Sequence, residues 1–179
     1  GTRFNNPIAR VEMEDFYRTS LGNTEAISFD IHPAKWLKIS SQNSVYTNQQ
    51  HRYHFWPSTM PLKVEGEGAD AEKYEAERLK LATENTVTFL PPLPLKHKLD
   101  IMLGYSASTD KSSNTKIKAE GLIMDKMKWD DLSAIQSKNN YTVSSDSYGV
   151  TRQSVFARAN YNFLNKYYIT VTARADGSS

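Results

Sequence analysis

Apolar and polar residues alternate along much of this chain, and the alternation is cleanest near its C-terminal end. One set of positions reads Val155, Ala157, Ala159, Tyr161, Phe163, then Tyr167, Ile169, Val171, Ala173, Ala175. The positions between them read Arg158, Asn160, Asn162, then Tyr168, Thr170, Thr172, Arg174, with Phe156 the apolar exception. Successive side chains of a strand point to opposite faces, so this period of two predicts a hairpin with one apolar and one polar face. Leu164-Asn165-Lys166 is a tight connection of the length hairpins use.

The same period predicts strands near residues 14–31, 37–55, 78–90 and 97–118, before the pair at 154–163 and 167–176. Ile27, Phe29 and Ile31 share a face in the first, Leu37, Ile39 and Val45 in the second, and Leu99, Ile101, Leu103, Tyr105 and Ala107 in the fourth. His32-Pro33-Ala34-Lys35-Trp36 reads as a turn, because Pro33 lacks the amide hydrogen of a central strand. Residues 72–83 are ambiguous. Glu72 to Ala82 has high helix propensity, yet Leu79, Leu81, Thr83, Asn85, Val87 and Phe89 keep the strand period. We read strand from about Arg78, with room for a helical turn before it. The expected fold is all-β, an antiparallel meander of about six strands over residues 1–179, each strand pairing with its sequence neighbour.

Connections then alternate short and long. The long loops are expected at about 57–77 and 119–153, the second with a short helix near Met127–Ile135. Transmembrane barrels have this asymmetry, with short periplasmic turns and long extracellular loops. Phe29, Trp36, Phe89, Phe163 and Tyr167 near the short turns would suit a headgroup girdle. The same aromatics also suit the core of a soluble β-sandwich, so periodicity leaves both architectures open.

Composition narrows function more than fold. With 22 Lys and Arg against 20 Asp and Glu, the net charge of +2 gives no reason to expect nucleic acid. The absence of cysteine removes disulfides, thiolate metal sites and CxxC redox chemistry. No apolar run approaches the roughly 18 residues a spanning helix needs, a test to which barrel strands are blind. Gly1 rather than Met begins the sequence, and no signal peptide is evident, so a piece of a longer protein is expected.

Candidate chemistry is sparse. His51 and His54, three apart on one strand, fall on opposite faces and cannot share a metal ion. Glu65 with Glu67, and Asp130 with Asp131, are paired carboxylates of the kind glycosidases and calcium sites use, but they lie in no recognisable ligand loop. No nucleophile elbow or phosphate loop occurs, so neither an enzyme nor a cofactor is expected, and no metal site. Tyr53, Phe55 and Trp56 cluster where the second strand enters its loop, and Trp129 lies in the other long loop. Such rings suit stacking on sugars or docking a protein, as well as plain loop packing. The polar row Arg158, Asn160, Asn162 and Arg174 is suited either to a cross-strand ladder or to a surface facing a barrel interior.

Four patches, in order, carry a resemblance: Asn6-Pro7-Ile8-Ala9; Glu84-Asn85-Thr86-Val87-Thr88-Phe89 with His97-Lys98-Leu99; Leu103-Gly104-Tyr105-Ser106-Ala107; and Arg174-Ala175-Asp176-Gly177-Ser178-Ser179. Together they resemble the barrel region of the SusC/RagA family of TonB-linked (TonB-dependent) outer-membrane transporters. That resemblance implies a barrel of about 22 strands around a plugged lumen, to which this chain would contribute roughly a quarter. It also implies an importer of glycans, oligosaccharides or peptides in the cell outer membrane, energised through TonB and closed by a SusD-like surface lipoprotein. The family's plug and TonB-contacting segment lie N-terminal to the matched patches. Arg158, Asn160, Asn162 and Arg174 would then face the lumen or plug. The alternative is a soluble β-sandwich carbohydrate-binding module, with its ligand in the loops.

Overall fold

A computed structural model describes residues 7–61, 63, 66–137 and 140–179. A short helix, α1 (Pro7–Met13), precedes six strands: β1 (Asp15–Ala34), β2 (Leu37–Trp56), β3 (Ala69–Phe89), β4 (His97–Leu122), β5 (Tyr141–Phe163) and β6 (Tyr167–Ser178). They form one sheet in sequence order. The expected all-β meander is thus present, as a single sheet and not as the two packed sheets of a sandwich.

The strands are longer than the sequence suggests, and the loops shorter. β3 begins at Ala69, so the helix-prone stretch around Glu72–Ala82 is strand throughout. Pairing with β2 and β4 overrides propensity here, since each strand residue gains cross-strand contacts that an isolated helical turn lacks. β4 runs to Leu122 and β5 starts at Tyr141. The expected loops at 57–77 and 119–153 therefore contract to residues 57–68 and 123–140. Polar strand positions such as Ser113, Thr115 and Ser144 stay exposed within their strands and leave no periodic signal. The expected helix near 127–135 is instead a single 3₁₀ turn, Asp125–Met127. Strand geometry also persists through Pro33, with the chain reversing at Lys35 and Trp36.

The chain divides into two compact units. One comprises Asn23–Thr47, Arg78–Lys111 and Gly149–Ser179 and holds the short turns. Its large apolar side chains are exposed: Ile27, Phe29, Ile39, Val87, Phe89, Leu103, Val155, Ile169 and Val171 all face solvent space, at odd-numbered positions throughout. In water this is an unpartnered apolar surface of a size monomeric soluble proteins avoid.

Polar contacts occupy the even-numbered positions of this unit. Arg78 binds Asp110 through two hydrogen bonds of 2.8 and 2.9 Å, and Lys80 lies 3.6 Å from the same carboxylate. Lys38 and Ser40 both approach Asp30. Phe156, the apolar exception, lies over Gly104, where a Cβ would come within 2.1 Å of its ring. Arg174 covers the ring's other surroundings at 5.7 Å from its centroid. A glycine on β4 thus leaves room for an aromatic on β5, the pairing that compensates glycine in strands.

The hairpin has the expected register, with Val155 opposite Ala175, Ala159 opposite Val171 and Phe163 opposite Tyr167. Its turn places Leu164 and Asn165 at φ of 59° and 55°, the left-handed pair of a type I′ turn. Asn165 tolerates that conformation; Leu164 does not by nature. The Asn162 carboxamide accepts from the Asn165 amide at 2.9 Å, and the Leu164 amide donates to the Lys96 carbonyl at 2.8 Å, holding the turn.

The other unit comprises the described parts of Gly1–Gly22, Asn48–Glu77 and Ser112–Tyr148 and holds the long loops. Its small core joins Phe55, Ala69, Ala71, Ala119 and Leu122, with Trp129, Leu132 and Ile135 packed against it. The second loop therefore folds down onto the strand ends. An isolated bridge between Leu122 and Ile135 holds the second loop against the end of β4, and a hydrogen bond from Ser58 Oγ to Asp125 (3.0 Å) ties the two loops together.

Candidate functional site

The unit with the long loops contains all four aromatics singled out in the sequence, and it separates them. Tyr53 stacks on Tyr17 at 5.7 Å and lies 5.8 Å from Trp129, with Lys73 over its ring and its hydroxyl donating to Glu75 at 3.2 Å. Phe55, two residues on, points the same way and is only 3% exposed. It is a core residue of the loop platform, and no surface of it is open to a ligand. That removes Phe55 from the contact candidates: the same face that carries Tyr53 is here covered by the 123–140 loop. Trp56 lies on the opposite face with His54 at 3.8 Å, and Phe16 meets His54 edge-on at 5.4 Å. Phe16 was not singled out from sequence, because its companions on this face, His54 and Trp56, come from β2.

The two histidines diverge as strand geometry requires. His51 lies 3.7 Å from Glu75, whereas His54 Nε2 is 2.9 Å from Glu14. Among the described residues, no cluster of three or more His, Asp or Glu is arranged to hold a metal ion. Glu65 lies outside the described residues, as does Asn6 of the first resemblance patch. Asp130 and Asp131 do not act as a pair: Asp131 caps its own loop, accepting from Ser133 Oγ at 2.5 Å and from the Ser133 amide at 2.9 Å.

Those bonds, the hydroxyl's first, hold the Asp131 carboxyl below the usual carboxylate range. A depressed folded-state value means that the cap's contribution is full above the unfolded value of about 4 and is lost as pH falls through the folded one. Amide exchange at Ser133 should therefore accelerate as pH falls below about 4 beyond its intrinsic pH dependence, and Asp131→Asn should flatten that excess. Equal excess in both proteins would show that the cap does not order this loop.

The polar row of β5 and β6 divides too. Arg174 donates to Asp176 at 2.8 Å and to Ser154 Oγ at 3.0 Å, and Thr170 donates to Asn160 at 3.0 Å. Asn162 is engaged in the turn. Arg158 lies opposite Thr172 on the same face. Three of these four thus have ladder or turn partners within the sheet, and Arg174 and Asn160 retain exposed surface beside theirs. The groove on the polar side of the short-turn unit is lined largely by small residues, including Ala26, Ser28, Ser44, Ala82, Ser106 and Ser108.

Comparison with solved structures accounts for a long-stranded sheet with an exposed apolar face. The RagAB peptide importer in its closed-closed state superposes with a TM-score of 0.83 at 21% identity, covering 94% of this chain and 18% of that one. The open-open state gives 0.82 at 21% identity with the same coverage. The chain has the fold of a segment of that importer's barrel wall. In sequence it is similar to TonB-dependent receptor P26 of Formosa agariphila, 28% identical over 184 aligned residues spanning all of this chain and 18% of that receptor. The chain thus spans under a fifth of the length of the proteins it matches. No family model matches it. In a wall of that fold the apolar odd-numbered face would meet hydrocarbon, and the absence of a long apolar helix among the described residues has no bearing on that.

Proposed function

We propose that this chain forms part of the wall and the extracellular loops of an outer-membrane, TonB-dependent importer of oligosaccharides or peptides. The observation that carries the reading is the exposed face of Ile27, Phe29, Val87, Leu103, Val155, Ile169 and Val171 on a meander matching the RagAB importer fold. A closed barrel buries such a face in lipid and leaves no free strand edge. The opposite, polar face then lines the lumen, where Arg158, Asn160 and Arg174 contribute hydrogen-bonding groups toward a plug. The chain contributes no catalysis; its role is to shape a passage. Energy coupling through TonB and closure by a SusD-like lipoprotein belong to the whole importer, whose lipoprotein would meet the long-loop unit.

Trp56 and Trp129 are the aromatics to test, since they occupy different faces of the loop unit. In the intact importer, Trp56→Ala should weaken nutrient or lipoprotein binding by about 2 kcal/mol, the typical loss of a well-placed aromatic anchor. Trp129→Ala should do the same where its outer face meets the lipoprotein. Because Trp129 also packs against the core around Phe55, its folded yield must be measured alongside. Unchanged uptake and unchanged lipoprotein affinity in both variants would withdraw these residues while leaving the barrel in place.

A further inference from the structure

On one face of the long-loop unit, cations outnumber the carboxylates that neutralise them. Glu72 on β3 is shared by Arg52 on β2 (3.9 Å) and Lys116 on β4 (3.0 Å). Arg18 on β1 is met by a neutral group: with its amide oriented to its hydrogen bonds, Gln50 Oε1 accepts from Arg18 Nε and Nη2 at 3.0 Å. Three cations on three strands thus share this face with two carboxylates: Glu72, between Arg52 and Lys116, and Glu14, which is engaged by His54 at 2.9 Å. The neighbouring Lys118–Glu120 pair (2.5 Å) and Lys63–Asp70 pair (2.8 Å) balance internally and do not offset the excess. Arg18 is exposed, and Arg52 and Lys116 are each about two-fifths exposed, so the charges are open to a ligand.

Aromatic rings adjoin these cations on the same face. Arg52 and His54 are alternate residues of β2, and Phe16 packs edge-on to His54, which in turn contacts Trp56. The Arg52 guanidinium is further held over the Tyr74 ring at 4.6 Å, which fixes its plane. Ring faces suit the C–H faces of sugars, and a held guanidinium suits a planar or tetrahedral oxyanion.

We propose that this face binds an acidic oligosaccharide, with Arg18, Arg52 and Lys116 engaging its carboxylate or sulfate groups and Phe16 and Trp56 packing on its rings. The proposal rests on the importer reading above and narrows its substrate class. An acidic peptide shares the anionic groups but makes less use of flat aromatic surfaces. Glu72 has a defined part here: it pairs with Arg52 and Lys116 and competes with the ligand's anions.

Calorimetry on the intact detergent-purified importer decides the point, using tetragalacturonate, a sulfated galactose oligomer, the neutral methyl ester of tetragalacturonate, and hexaglutamate. One or both acidic sugars should bind, and which of them does separates carboxylate from sulfate. The neutral ester should bind at least tenfold more weakly, and added salt should narrow the gap. Arg52→Gln should weaken the acidic sugar about tenfold and Arg52→Lys much less. Glu72→Gln should tighten it severalfold, a gain that a purely structural ion-pair ladder does not produce. Equal binding of acid and ester, tighter binding of hexaglutamate, binding of neither acidic sugar, or a loss with Glu72→Gln in a normally folded protein would overturn the proposal. Cellular uptake is measured separately. Uptake of neutral nutrients with no preference for acidic ones would remove the acidic-sugar site and leave the importer standing, whereas loss of all uptake dependence on the protein would remove the importer reading itself.

Discussion

Gly68→Ala should destabilise the intact barrel by about 3 kcal/mol, more than a neighbouring glycine substitution of the same kind. Gly68 has φ of +74°, and a Cβ there would lie 2.5 Å from the Leu122 carbonyl oxygen and 2.9 Å from the Gly121 carbonyl carbon. Both are backbone atoms, and Gly121 is itself at φ of +74°. The strand ends cross closely because both residues lack a Cβ. Lys63 reinforces the crossing, donating to the Gly68 carbonyl at 2.7 Å and to Asp70 at 2.8 Å. The substitution therefore adds a left-handed conformational cost of roughly 1–2 kcal/mol to an overpacking cost of roughly 1–3 kcal/mol. Gly66 supplies the internal control. Its φ is +90°, but nothing lies within 4 Å of its Cβ position. Gly66→Ala should show only the conformational part. Denaturant unfolding of the two variants measures the difference, and equal losses would mean that the backbone crossing is not tight in the folded protein.

A charge introduced at Val171 should be costly only if its surroundings are lipid. Val171 is 62% exposed and lies opposite Ala159, in the middle of the apolar face of the hairpin. On a water-facing sheet, Val171→Arg would change stability by less than about 0.5 kcal/mol. At the lipid face near the bilayer midplane the same change costs about 2–4 kcal/mol. Thr170→Arg places the charge on the polar face one residue away and should cost far less, mainly the hydrogen bond to Asn160. Folding into lipid vesicles, compared across the two variants, gives the answer. A small effect at both positions would argue that the apolar face is not in hydrocarbon.

The terminal hairpin was legible in sequence to the residue. Its period of two is unbroken on both sides of a three-residue link, and a one-residue slip would exchange its faces, so the pattern leaves no freedom. The loop-proximal strands were not legible. Residues 69–77 and 141–153 lack an apolar row; in the proposed barrel they would lie beyond the lipid band, where neither face needs hydrocarbon contact. There, pairing is driven by neighbouring strands, and local propensity even favoured helix at Glu72–Ala82. Phe156 breaks the pattern because its ring lies over Gly104, a partner far away in the sequence.

The candidate site shows the same division. Sequence placed Tyr53, Phe55, Trp56 and Trp129 near the long loops, because aromatics at strand ends are visible in one dimension. Only the fold assigned Phe55 to the buried platform, Tyr53 and Trp129 to one face, and Trp56 to the other with Phe16 and His54. The cationic face was invisible in the sequence, where a net charge of +2 is unremarkable. Arg18, Arg52, Glu72 and Lys116 are far apart in the chain and become neighbours only through the register of four antiparallel strands. By itself the sequence determined the strand class, the facing of the apolar rows and the hairpin register, since those follow from local alternation and turn chemistry. The tertiary structure decided how far each strand extends, which aromatics remain exposed and where charge accumulates, because those depend on which distant strands stand side by side.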